Sequence, residues 1–170
     1  MAVRRHAKRT GMLMRVVRVV SGGQTGADRA ALDVAISRGI KRGGWVPKGR
    51  VAEDGVIPHN YCMEETPSTD VQQRTEWNVR DSDASLIVSS LPLRGGTALT
   101  EKMANKYNKP VFIFCIDNWR ATDTIVQLKK WLEAVGGGNL NVAGPRAPEE
   151  PSIYNITYEI MNKLFDNNPI

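Results

Sequence analysis

The chain has 170 residues, 41% of them hydrophobic and 24% charged, with a formal net charge of +5. That length and balance suit one globular domain whose core needs no disulfide or metal staple. No stretch approaches the roughly 20 apolar residues of a membrane span. Cys62 and Cys115 fall in no redox or zinc spacing, so the expected compartment is the reducing cytoplasm.

The charge is uneven. Arg4, Arg5, Lys8 and Arg9 supply nearly all of the excess, so residues 1–14 read as a basic, flexible extension that lacks the apolar segment of a signal peptide. Residues 15–170 then form a single, nearly neutral domain, which gives no reason to expect specific nucleic-acid or membrane binding. Arg15 to Val20 predicts a valine-rich strand. The turn Ser21-Gly22-Gly23-Gln24-Thr25-Gly26 follows, and Asp28 to Arg38 predicts a helix with Ala31, Leu32, Ala35 and Ile36 on one face, closed by Gly39.

Gly44 to Val46 predicts a short strand. Pro47 to Pro67 has no clear period; stretches this long in compact domains are usually functional or disordered, and Lys48, Arg50 and Glu53 are candidates for a lid over a ligand. Thr69 and Gln72 fit a capping box for a helix to about Arg80. Ala84 to Ser89 predicts a continuous, largely apolar strand, as one buried on both faces should be. Thr97 opens a helix with Leu99, Met103 and Tyr107 on its buried face, and Val111 to Ile116 is the most hydrophobic strand, with Cys115 read as a small buried hydrophobe. A helix over Thr122–Val135 ends at Gly136-Gly137-Gly138, Leu140 to Ala143 is a short final strand, and Ser152 caps a helix striped by Ile153, Ile156, Ile160 and Leu164. About five alternations of strand and helix predict an α/β, Rossmann-like open parallel sheet with helices on both faces.

In such a sheet, ligands bind beyond the carboxyl ends of the strands. The first turn offers glycines for close backbone approach, unpaired amides at a helix start, and the donors Ser21, Gln24, Thr25 and Arg29, with Asp28 as a helix cap or ligand contact. It is neither a Walker A loop nor the dinucleotide fingerprint, because Gly22, Gly23 and Gly26 give GGxxG and no Gly-Lys-Ser/Thr follows. A second turn, Ser89 to Thr97, adds Ser90, Arg94, Gly95, Gly96 and Thr97, and Arg94 suits phosphate. A third ends in Gly144-Pro145-Arg146. The candidate site is therefore composite and takes a small anionic ligand: Ser21, Gly22, Gly23, Gln24, Thr25, Gly26, Asp28, Arg29, Ser90, Arg94, Gly95, Gly96, Thr97 and Arg146. His59 and Cys62 do not make a metal site, and no Ser/His/Asp or Cys/His set stands out. Trp77 and Arg80 share a helix and can face a partner subunit.

Ser21 to Asp33 (SGGQTGADRAALD), Gly44-Trp45-Val46-Pro47, Arg94 to Thr100 (RGGTALT) and Asn141 to Arg146 (NVAGPR) closely resemble the putative molybdenum carrier family over about residues 15 to 165. The resemblance implies homo-oligomers, dimeric or tetrameric, and storage or protected transfer of molybdenum cofactor (molybdopterin), a pterin that is anionic at both ends. Any molybdenum would arrive on the pterin, so no protein metal ligand is assigned. LOG-type phosphoribohydrolases are wider relatives and carry PGGxGTxxE at the second turn. Here Arg94 replaces the proline, the later glycine is missing, and Glu101 lies one residue out of register, a rotation of about 100° on a helix. Glu101 is thus the single catalytic candidate. A noncatalytic carrier is the leading reading, and a nucleotide-processing hydrolase or a nucleotide-sensing module are the alternatives.

Overall fold

The structure, a computed structural model, describes residues 15–166; the basic extension expected over residues 1–14 lies outside them. The strands are β1 (Val16–Val20), β2 (Lys41–Val46), β3 (Val51–Ala52), β4 (Gly55–Val56), β5 (Met63–Glu65), β6 (Ala84–Ser89), β7 (Val111–Cys115) and β8 (Gly138–Ala143). The helices are α1 (Ala27–Ser37), α2 (Val71–Arg80), α3 (Gly95–Lys106), α4 (Thr122–Val135) and α5 (Ile153–Phe165). Six strands form one sheet in the order β5-β2-β1-β8-β6-β7, all parallel, while β3 and β4 make a separate antiparallel hairpin. The α/β Rossmann-like expectation holds, with one strand more than the sequence indicated. Among the described residues no helix is long and apolar enough to cross a membrane.

The two faces of the sheet differ. Alternate residues of a strand point to opposite sides. Leu86, Val88, Leu140 and Val142 join Val19 in a large apolar cluster with residues of α1, α4 and α5. Their neighbours Ser85 and Asn141 face the other way, toward the α2–α3 side, and are buried there, with Asn141 Nδ2 donating to Ser85 Oγ at 3.1 Å. On that side the apolar packing of α2 and α3 is limited to Val79, Met103 and Ala104, with Leu99, Tyr107 and Val111 against them. One layer of the protein is therefore a conventional core, and the other encloses polar side chains.

The chain runs from β1 outward to β2 and β5, crosses to β6 and β7, and returns to place β8 between β1 and β6. The strand order thus reverses beside β1, and the crevice at a parallel sheet's carboxyl edge belongs at such a reversal.

Several elements depart from expectation. β2 starts three residues earlier than expected, at Lys41, because Lys41, Arg42 and Gly43 pair with Arg18, Val19 and Val20 of β1. The aperiodic stretch from Pro47 to Pro67 contains the hairpin, a 3-10 turn over His59–Tyr61 and β5, each too short to leave a period. The cap of α2 is Asp70, not Thr69: its carboxylate accepts from the Gln72 amide at 2.9 Å. Helix α3 starts at Gly95, with the Thr97 hydroxyl donating to the Arg94 carbonyl at 2.6 Å. Ser152 precedes α5, but its hydroxyl binds Glu150 at 2.6 Å instead of a helix amide. Ile36 is 37% exposed, since Ala27, Ala31, Val34 and Ala35 are the residues of α1 that join the core with the sheet and α5. β7 lies at an edge, so Phe114 is its one buried residue and Cys115 is half-buried.

The excursion from Pro47 to Pro67 has its own small core, Leu32, Val46, Ala52, Ile57, Tyr61 and Met63. Arg50 is buried within it and donates from Nε to the Ile57 carbonyl (3.1 Å), from Nη1 to Met63 (2.9 Å) and from Nη2 to Pro58 (3.2 Å). Tyr61 and Tyr154 donate to the two oxygens of Asp33 at 2.8 and 2.7 Å, tying the excursion and α5 to α1. Burial and the Asp33 carboxylate push the Tyr61 hydroxyl up to about 12.

A candidate anion-binding cleft

The cleft forms where β1 and β8 end. Beyond the last residue of β1, Ser21 is fully buried and its hydroxyl donates to the Val142 carbonyl at 2.7 Å, fixing the start of the glycine turn against β8. Gly22 follows. A Cβ there would collide with the Arg74 guanidinium and lie 2.9 Å from Asp28 Oδ2, so the absence of a side chain is what lets Arg74 lie on the turn. Gly26 serves a second need: its φ of 89° is left-handed, and a Cβ would stand 2.6 Å from the Pro145 carbonyl oxygen. The third turn thus packs directly on the first, and the Ala147 amide donates to Thr25 Oγ1 at 3.3 Å.

Gly22, Asp28, Arg74, Thr75, Asn78, Thr100 and Asn141 line a small cleft that is open to solvent. Most of its polar side chains are already engaged. Asn78 donates to the Trp45 carbonyl at 3.0 Å and accepts from the Trp45 amide at 2.7 Å, fastening α2 to β2. The Thr75 and Thr100 hydroxyls donate back to the Val71 and Gly96 carbonyls at 3.1 and 2.9 Å. Arg74 is the exception. Its Nη1 stands 3.7 Å from Asp28 Oδ2, beyond good hydrogen-bond distance, and its Nε is buried with no partner. An unmet buried donor on a permanent cation is costly unless something anionic meets it.

Asp28 is buried, and burial raises its carboxyl above the ordinary aspartate value of 3.8 although Arg74 and the Gln24 amide pull the other way. Because folding raises this pKa, the folded chain holds the proton more tightly than the unfolded chain. The contribution therefore favours folding below the ordinary value and is lost as pH rises through the folded-state value. A carboxyl-detected NMR titration should place Asp28 above 3.8, and Arg74→Gln should move it higher still by removing the nearest cation. A midpoint at or below 3.8 in the unmodified chain contradicts the cleft's electrostatics.

The other candidate residues are distributed as follows. Gln24 Nε2 donates to the Val51 carbonyl at 3.1 Å. The Thr25 amide and hydroxyl donate to Glu53 Oε2 at 3.3 and 3.0 Å. Arg29 donates from Nε to the Gly23 carbonyl (2.7 Å) and grips Asp54 with both terminal nitrogens (2.9 and 3.0 Å), so it braces the turn and the hairpin. That bond holds Asp54 below the usual carboxylate range. Arg146 pairs with Glu53 at 3.3 Å and Glu149 at 3.2 Å. Ser90 directly follows β6, and Arg94, Gly95 and Gly96 lie at the start of α3, where a Cβ at either glycine would meet open space. Thr97 is buried beneath them. Glu101 is half-buried and outside the cleft lining, whereas its neighbour Thr100 is in it.

The structure thus brings Gly22 and Asp28 together with Arg74, Thr75, Asn78, Thr100 and Asn141, none of which stood among the candidate site residues. Arg74 was hidden because it sits on a helix remote from every glycine turn. A partial signal existed: Asn141 interrupts an otherwise apolar strand, and Ser85 does the same in β6. Gly22→Ala should displace the guanidinium and weaken phosphate binding about tenfold, the equivalent of one charge-assisted hydrogen bond. Since the guanidinium is the flexible end of a side chain, the melting temperature should barely move. Unaltered binding by isothermal calorimetry would show that Arg74 does not need its seat on Gly22.

Residues 19–165 match the profile of the circularly permutated YpsA SLOG family. The crystal structure of the putative molybdenum carrier protein from Syntrophus aciditrophicus SB is similar at a TM-score of 0.85 and 45% identity, over 89% of this chain and 96% of that one. No curated protein matches the chain. The matched span contains all three glycine turns, α2 and the whole sheet apart from the first residues of β1. With that coverage, the chain belongs to the circularly permutated YpsA SLOG family.

Proposed function

We propose that this chain binds a phosphate-bearing pterin or nucleotide-like molecule and carries it in the cytoplasm without turning it over, with molybdenum cofactor as the first candidate cargo. The observation that carries the reading is the buried Arg74 Nε, unpartnered at the carboxyl edge of β1 and β8. The choice of cargo is supported by the 45% identity to the Syntrophus aciditrophicus protein, whose name is that of a molybdenum carrier. The residues fit such a ligand's phosphate: Gly22 leaves backbone room and Arg74 supplies the charge. The exposed amides of the Gly95-Gly96 turn add a second anion-compatible surface at the start of α3.

The test is mass spectrometry of the small molecules that copurify with the native chain, paired with the rate at which added molybdenum cofactor oxidises in its presence. A bound phosphorylated pterin and slower oxidation are expected. Absence of any bound pterin or nucleotide together with unchanged oxidation defeats the carrier reading. Release of free base from a panel of nucleoside monophosphates would replace it with a hydrolase.

A further inference from the structure

The hairpin β3–β4 turns at Glu53 and Asp54, and both carboxylates reach back to the first glycine turn. Asp54 is bound by Arg29. Glu53 does something different. One of its oxygens takes the Thr25 amide and hydroxyl, and the other takes Arg146 Nε at 3.3 Å. Its side chain is only 18% exposed, against 49% for Arg146. A backbone amide, a hydroxyl and a guanidinium converging on one carboxylate form the donor set that would equally receive a phosphate oxygen. Glu53 is also near enough for its charge to bear on Asp28, the carboxyl of the Arg74 cleft.

We propose that Glu53 is a built-in competitor: it fills an oxyanion seat made by Thr25 and Arg146, beside the Arg74 cleft, and adds to the Arg29–Asp54 pair in holding the hairpin until an anionic group of the ligand displaces it. The inference rests on the reading of the Arg74 cleft as an anion site, because a ligand with two anionic groups gains both seats at once. Three features favour displacement over a permanent brace. The contacts of Glu53 to the turn are all polar. The hairpin's outer residues Val51 and Val56 are 61% and 66% exposed, so Ala52 is its one buried apolar side chain. The hairpin has only two residues in each strand.

Equilibrium dialysis with radiolabelled inorganic phosphate separates the possibilities. The unmodified chain should bind about one phosphate, lost in Arg74→Gln. Glu53→Ala should bind about two, and Glu53→Ala combined with Arg146→Gln should return to about one. If Glu53→Ala gains no phosphate, or if the unmodified chain already binds two, the competitor role is wrong while the cleft stands. If Glu53→Ala gains a phosphate that depends on Arg146 but Arg74→Gln loses none, the competitor stands and the cleft reading fails. No binding in any variant overturns both. Limited proteolysis without phosphate gives a second reading: Glu53→Ala should be cut faster than the unmodified chain between Val51 and Val56, and equal or slower cleavage would contradict a hairpin held by Glu53.

Discussion

Arg74→Gln is expected to weaken phosphate binding about a hundredfold while leaving the fold intact. The guanidinium is the cation of the cleft lining, and its buried Nε has no partner within the protein. Each hydrogen bond from a charged donor contributes about 1.5–3 kcal/mol, so losing two of them corresponds to two or more factors of ten in affinity. Stability should change little. Removing a buried donor that is already unmet relieves a cost, and the ion pair with Asp28 is long at 3.7 Å. Arg74→Lys keeps the charge but not the planar fork, so it should retain part of the affinity, about tenfold below the original. Calorimetric titration with inorganic phosphate reads all three chains, and equal affinities would place the ligand elsewhere. Circular dichroism and a thermal melt check that the fold is unaffected.

Much of the architecture was legible because parallel α/β chains write their elements as separable periods. β6 is buried at every position and carries four apolar residues of six, and α5 shows its stripe because one face alone meets the core. The elements that escaped detection are those whose existence depends on neighbours. β5 has three residues and becomes a strand only by pairing with β2 through Gly44 to Val46. β7 reads as the most hydrophobic strand, yet it lies at the sheet's edge, since hydrophobicity does not encode strand order.

The candidate site divides along the same line. Glycines announce a close approach, and Gly22 and Gly26 both meet one; what approaches was not written locally. At Gly22 it is a side chain from α2, 52 residues further along the chain. Of the arginines adjacent to the turns, Arg29 and Arg146 are met by carboxylates, and Arg94 is exposed at the start of α3. Glu53 reads from composition only as part of a lid. Its engagement with Thr25 depends on the hairpin geometry, which two-residue strands cannot reveal in advance of pairing.

Arg50 anchors that hairpin, and Arg50→Met should be the most destabilising of these substitutions. Among the described residues no carboxylate pairs with Arg50; its three donating nitrogens meet the carbonyls of Ile57, Pro58 and Met63. Replacing a buried ion by an apolar side chain can be neutral when nothing polar is left behind. Here three carbonyls are left behind, each costing about 1 kcal/mol or more when it stays buried and unmet. A net loss of about 3–4 kcal/mol follows, or about 10 °C in melting temperature for a domain of this size. Arg50→Lys has three protons but no fork to span three separated carbonyls, so it should recover less than half of that loss. Hydrogen exchange should accelerate over residues 48–66 in both variants and stay slow in β6. Uniform acceleration would mean that Arg50 supports the whole domain rather than the excursion. With its anchor gone, the hairpin should also carry Glu53 away from Thr25 and Arg146. Arg50→Met should then admit the same additional phosphate as Glu53→Ala, so that two substitutions with unrelated chemistry open one seat.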